Sequence, residues 1–248
     1  VKRNFIVLFT RGGGSSFLAE SLNQIPGTLC LREPSLGCDF FNNDEGLLLK
    51  LQKHDDTKYR RRTTQRIMDC KWIGAKLKLH DQVSLGLEKK LLNSNVPIVI
   101  CLRNDVVSHA VGLCRKDISK GSITWNKSEK LNSCYISPVE FEKNLEFVLE
   151  SNKKLFNFYK KIAPSRRYYV FYEDLCYNLE TEVSGIMRFI NSNQSTKIEI
   201  NKKSLPLKVT SLIWMNSVNN FKEVGDKINA MNLSYNQMNS GFTFLPNK

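Results

Sequence analysis

Two kinds of apolar pattern alternate along the chain. Phe5-Ile-Val-Leu-Phe9 and Val96–Leu102 are apolar at nearly every position, the pattern of short strands buried on both faces. Thr28-Leu-Cys-Leu31, Lys71–Leu79 and Tyr168-Tyr-Val-Phe-Tyr172 are further strand candidates. Between them the apolar residues recur every three or four positions. Phe17, Leu18, Ser21, Leu22 and Ile25 predict a helix closed by Pro26-Gly27, and Val83–Leu92, Val106–Arg115, Pro138–Ile162 and Leu179–Asn191 predict four more. Strands alternating with helices imply an α/β fold with a central, mostly parallel sheet and ligands at the carboxyl ends of its strands. No internal repeat and no linker-like stretch interrupts the pattern, so residues 1–248 are expected to form one domain.

Composition narrows the class. Hydrophobic residues make up 41% of 248 and aromatics 10%, enough for a sizeable core and too much for a disordered chain. No apolar run approaches the roughly 18 to 20 residues that span a bilayer, so no membrane segment is expected, and Val1–Phe9 lacks the features of a signal peptide. The seven cysteines contain no Cys-x-x-Cys pair, which predicts free thiols and no metal site. Asn126, Asn193 and Asn232 open Asn-x-Ser sequons, a chance-level number for a chain with 24 Asn, and they do not establish a secretory route. The formal charge of +13, from 37 Lys+Arg against 24 Asp+Glu, suits an anionic ligand. A nucleic-acid partner would also fit the charge, with Tyr59 beside Arg60-Arg61-Arg62 as its basic cluster, but it leaves the first 34 residues unexplained and is not expected.

Those residues carry the strongest chemistry. Gly12-Gly13-Gly14-Ser15-Ser16 lies between a strand and a helix, where consecutive backbone N–H groups meet the positive end of the helix dipole. Phosphate or sulfate is the natural guest, with hydroxyls from Ser15 and Ser16 and a charge from Arg11. An ATP or GTP loop would require Gly-x4-Gly-Lys-Ser/Thr, and no such Lys follows these glycines. Gly12, Gly14 and Glu33 imitate part of the dinucleotide fingerprint, which keeps an NAD(P) enzyme as an alternative. Phe17, however, stands where the third glycine belongs.

Gly14-Ser-Ser-Phe-Leu-Ala-Glu-Ser-Leu-Asn-Gln-Ile-Pro26 followed by Arg32-Glu33-Pro34 resembles the opening of the carbohydrate sulfotransferases, especially the N-acetylglucosamine/galactose 6-O family. Their pattern there runs Arg-Ser-Gly-Ser-Ser-Phe, then Asn-Gln-x-Pro, then Glu-Pro. The resemblance continues in Gly74-Ala-Lys76, Cys101-Leu-Arg103 and Tyr172-Glu-Asp-Leu175, and Leu102-Arg-Asn-Asp105 with Ala110-Val111 is similar to bacterial sulfotransferases of the trehalose type. It covers about three quarters of the chain and thins after Asn191.

The resemblance implies a three-layer fold like that of the P-loop NTPases. It also implies a sulfuryl donor, 3′-phosphoadenosine 5′-phosphosulfate (PAPS), which leaves as the 3′,5′-bisphosphate (PAP), and no metal. Arg11, Gly12, Gly13, Gly14, Ser15, Ser16 and Phe17 would hold the 5′ end, while Arg103 and Ser108 would grip the 3′-phosphate. Glu33, matching the Glu of the Glu-Pro pair, is the expected base for an acceptor hydroxyl. His80 is the alternative base. Lys76 is expected to point toward the acceptor or the donor sulfate, and the turn Tyr172-Glu173-Asp174-Leu175 to be structural, cradling the site's base. The acceptor implied is a carbohydrate or another hydroxyl-bearing molecule, including an anionic one. The carbohydrate relatives imply a Golgi lumen behind an upstream anchor, and the bacterial ones a cytoplasmic protein. One departure stands out: the family's loop cation falls at Gly12, whereas this chain carries Arg11 one place earlier. A noncatalytic member that binds an anion or a glycan is therefore a second expectation. His54 and His109 have no role in this reading.

Overall fold

A computed structural model describes residues 3–31, 69–78, 84–118, 133–191, 198–201, 205 and 214–231. Among them a five-stranded sheet is formed by β1 (Arg3–Phe9), β2 (Thr28–Leu31), β3 (Trp72–Lys78), β4 (Ile98–Leu102) and β5 (Arg167–Phe171). Every pairing is parallel and the spatial order is β2-β3-β1-β4-β5. The helices are α1 (Ser15–Leu22), α2 (Ser84–Asn93), α3 (Val106–Ile118), α4 (Pro138–Lys161), α5 (Tyr172–Tyr177), α6 (Leu179–Ile190) and α7 (Phe221–Ala230).

The apolar runs occupy the middle of the sheet because both of their faces are covered. Phe5, Val7, Phe9, Val99 and Cys101 face α1 and α6, meeting Leu18, Leu22, Val183 and Ile186. Ile6, Leu8, Ile98 and Ile100 face the other way, toward Leu91 of α2 and Leu155 and Phe158 of α4. A third cluster joins α3, the first half of α4 and α7. It is tied at the edge by a parallel bridge between Cys134 and Val218 and by the Asn220 side chain, which bonds the backbone of Ile136 in both directions. Gly74 lies opposite Phe5 in the register, and a side chain there would run into the Phe5 ring. The glycine of the Gly-Ala-Lys motif is thus dictated by packing.

Several expected boundaries move. The first helix ends at Leu22, and the residues up to Gly27 form turns, closed by bonds such as Ile25 N–H to the Leu22 carbonyl and Thr28 N–H to the Ile25 carbonyl. Residues 172–177, read as the end of a strand and a turn, form the short helix α5, and α7 was not expected. No helix among the described residues is long and apolar enough to cross a membrane. The described cysteines are free thiols, with Cys30, Cys70, Cys101 and Cys114 buried.

The order of the strands positions the site. β1 and β4 are neighbours, with Phe9 opposite Cys101, but the chain leaves them in different directions. After β1 it enters α1 on one face; after β4 it enters α3, which packs on α4 across the other. Diverging loops at the carboxyl ends of adjacent parallel strands leave a crevice between them.

Candidate active site

One wall of the crevice is the turn from Thr10 to Ser16. Gly13 N–H bonds the Thr10 carbonyl at 2.9 Å, closing a tight reversal. Gly12 (φ 78°) and Gly14 (φ 86°) lie in the left-handed region, where a side chain is strained. Space forbids one as well: a side chain on Gly14 would collide with the Tyr172 ring, and one on Gly12 would approach Leu113 and His109 of α3. Gly14 is the N-cap of α1 and offers no side-chain cap, so the first N–H groups of the helix are left for another acceptor. Lys76 enters from β3. It is 2% exposed, lies 4.9 Å over the Phe9 ring, and donates to Ser16 Oγ at 2.9 Å and Ser15 Oγ at 3.4 Å. The Lys76 amine thus meets the hydroxyls at the positive end of the helix dipole, an arrangement suited to an anion.

The opposite wall begins at Arg103, just past β4 and 5% exposed. Its guanidinium carbon lies 5.1 Å from the Tyr172 ring centre, and its Nε is 3.7 Å from Glu173 Oε1. The same carboxylate accepts the N–H groups of Asn104 (3.0 Å) and Asp105 (3.3 Å). Glu173 therefore orients the arginine and fastens the turn that follows it. The Nε of Arg103 is buried with no hydrogen-bond partner among the described residues. A buried guanidinium with an unused donor is suited to a second anion.

Three further contacts join these walls. His109, on the first turn of α3, lies 2.7 Å from the Arg11 carbonyl through Nε2. A carbonyl only accepts, so Nε2 carries the hydrogen. Burial, reinforced by the nearby charge of Arg103, pushes the His109 pKa down to about 3, and the ring is neutral at physiological pH. Cys101 Sγ donates to the Gly13 carbonyl at 3.3 Å, and burial holds that thiol protonated by raising its pKa to about 12. Tyr172 serves both sides, because its ring stacks under Arg103 while the edge-on ring of Phe17 lies 6.2 Å away.

Solved structures share this architecture. The sulfotransferase domain of the Synechococcus PCC 7002 olefin synthase matches with a TM-score of 0.50 at 12% identity, covering 94% of this chain and 96% of that one. The chain has the sulfotransferase fold. A sulfotransferase from Alicyclobacillus acidocaldarius matches more loosely, with a TM-score of 0.48 at 14% identity over 84% of this chain and 87% of that one. Mouse sulfotransferase SULT7A1, in a complex with PAP, gives 0.43 at 18% identity over 97% and 81%. No protein-family model and no curated protein matches the sequence.

Within the sulfotransferase fold the candidate residues divide into three groups. The loop residues Arg11 to Phe17, Lys76 and Arg103 come together around the crevice. Ser108 lies on α3 beside them, but its hydroxyl and N–H both bond the Asp105 carboxylate, the N-cap of that helix. Glu33 and His80 lie outside the described residues, as do Arg60 to Arg62 and His54. Trp72 is a core residue. Arg115, also on α3, is 3% exposed. Glu173 serves Arg103, and His109, which the sequence reading left without a role, is the brace between the two loops. A histidine six residues after the strand-end arginine was the one available signal for it. Among the described residues no cluster of His, Cys, Asp and Glu could hold a metal ion.

Proposed function

We propose that this protein is a sulfotransferase that moves a sulfuryl group from PAPS to a hydroxyl of a carbohydrate or related small acceptor. One observation carries the reading. Two anion-ready groups, the uncapped α1 terminus with Lys76 and the buried Arg103 with its unsatisfied Nε, stand on adjacent strand ends of one crevice. A nucleotide bearing anions at both its 5′ and 3′ ends fits that arrangement. A nucleoside triphosphate, with all its charge at one end, leaves Arg103 unused.

The donor supplies a sulfur centre activated by a phosphate leaving group; the chain's own residues supply position and charge. The N–H groups from Gly14 to Ser16, the two serine hydroxyls and Lys76 hold the 5′ end and oppose the negative charge that grows on the bridging oxygen as its bond to sulfur breaks. Lys76 takes the place of a cation at Gly12, with Arg11 at the mouth of the loop, so the displaced arginine does not by itself argue for a noncatalytic protein. Arg103 holds the 3′-phosphate, and Ser108, whose hydroxyl is bonded to Asp105, joins it only if that hydroxyl turns from the carboxylate to the phosphate. Glu33, or in its place His80, receives the proton from the attacking hydroxyl as the new O–S bond forms.

Thermal-shift titration with 3′,5′-adenosine bisphosphate beside ATP and NAD tests the donor. At a hundredfold excess over Kd the bisphosphate is expected to stabilise by about 2.7 kcal/mol, or roughly 5 to 10 °C, with smaller shifts from the other two. Arg103→Ala is expected to abolish the difference. Equal shifts for all three nucleotides would defeat the reading. Transfer of labelled sulfate across a panel of hydroxyl acceptors then separates a working enzyme from a noncatalytic binder.

A further inference from the structure

His109 is built into the crevice from the side of Arg103 and bonded to the side of the glycine loop. It follows Arg103 by six residues, its own N–H bonds the Asp105 carbonyl, and its ring reaches across to the Arg11 carbonyl at 2.7 Å. It is 1% exposed. The contact is tight on the loop side too, since the space beside Gly12 is filled by the His109 and Leu113 side chains. Glu173 fastens the other end of the same segment through Asn104, Asp105 and Arg103. Cys101 makes a parallel crossing to the Gly13 carbonyl, but a thiol is a weak donor, so the imidazole is the strong tie.

We propose that His109 is a positioning residue that sets the separation between the glycine loop and Arg103, and so makes the site selective for nucleotides carrying a 3′-phosphate. The inference rests on the donor reading above and adds a specific consequence to it. A ligand held at both ends gains because its second end binds at a high effective concentration, and that gain depends on the span between the two half-sites. A ligand held only at its 5′ end makes no use of the span. Loosening the tie therefore penalises the bisphosphate and largely spares the monophosphate. Nδ1 is buried with no hydrogen-bond partner, so the ring has one productive tautomer, and its Nε2–H points to the loop.

The test compares dissociation constants of 3′,5′-adenosine bisphosphate and 5′-AMP for the wild type, His109→Leu and His109→Gln. Removing one buried hydrogen bond of ordinary strength is expected to weaken the bisphosphate about tenfold in His109→Leu and 5′-AMP less than about twofold. His109→Gln keeps an N–H donor and is expected to restore most of the discrimination. A loss shared equally by both ligands would mark a merely structural residue and overturn the proposal, as would an unchanged ratio in His109→Leu. A wild type that does not prefer the bisphosphate would instead defeat the donor reading itself. Imidazole ¹⁵N spectra of the wild type supply a readout that does not depend on a folded variant. They are expected to show hydrogen on Nε2 and a bare Nδ1 down to about pH 4. A ring titrating near its ordinary value, or one with hydrogen on Nδ1, would overturn the tie.

Discussion

The two walls of the crevice present hydrogen-bond donors by different means. At the glycine loop the donors are backbone N–H groups and two hydroxyls, and glycines with left-handed backbone let the chain bend close to its guest. At the β4 end the donor is one long side chain, buried and aimed by a carboxylate and a ring that arrive from α5, about seventy residues away. The first wall is mostly local: its turn lies in five consecutive residues, and Lys76 is brought to it from β3. The second is assembled from distant parts. A defect in the first should therefore act through backbone strain, and a defect in the second through a misplaced charge.

The largest expected effect comes from Gly14→Ala. A residue forced to φ 86° costs about 1 to 3 kcal/mol and a clash with the Tyr172 ring a similar amount, so a loss of about 3 kcal/mol in urea unfolding is expected, with nucleotide binding lost as well. Gly225→Ala in α7, where nothing lies within 4 Å of the added methyl group, is the matched control and should be neutral or slightly stabilising. A small effect at Gly14 would show that the loop tolerates a side chain and that its shape is not fixed by Tyr172.

The joint between the walls gives the next effect. His109 in the folded protein binds its proton only near pH 3, whereas an unfolded histidine does so near 6.5. Between these values the unfolded chain carries the extra proton, so the stability contributed by the neutral ring is complete above about pH 6.5 and is lost progressively as the pH falls toward 3. From pH 7 to pH 5 the loss is about 2 kcal/mol. Subtracting the same urea measurement on His109→Gln isolates it from the carboxylates, and equal pH slopes in the two proteins would contradict a buried neutral ring.

Glu173→Gln is the mildest and the most discriminating change. It keeps the size of the side chain but removes the charge that faces Arg103 and weakens the hold on the Asn104 and Asp105 N–H groups. A roughly tenfold loss of bisphosphate affinity with a stability change of about 1 kcal/mol is expected by calorimetry and urea unfolding. If affinity survives while stability falls, Tyr172 alone aims the arginine, and Glu173 is only a cap on the turn.

Much of this architecture could be read along the chain. Apolar runs too short to be anything but strands, separated by segments with helical spacing, determined the alternating α/β order, because burial on two faces leaves no polar positions in a strand. Gly12-Gly-Gly-Ser-Ser16 announced a tight turn between a strand and a helix, since the residues that make it are neighbours. Arg103 was legible as the residue that ends an apolar strand. Helix α5 was not, because an aromatic-rich strand runs into it without a break and only tertiary packing stops the strand at Phe171.

The contacts that Lys76, Glu173 and His109 make were decided by the tertiary structure. Lys76 shares a pattern of alternate residues with the rest of β3, and only the pairing of β3 beside β1 carries its amine to Ser15 and Ser16. Glu173 and His109 act on partners 70 and 98 residues away, at Arg103 and Arg11. Contacts of that range depend on which strand ends become neighbours. The order β2-β3-β1-β4-β5 settles this by the way helices and loops pack over the sheet, a property of the whole fold that no local run of residues contains.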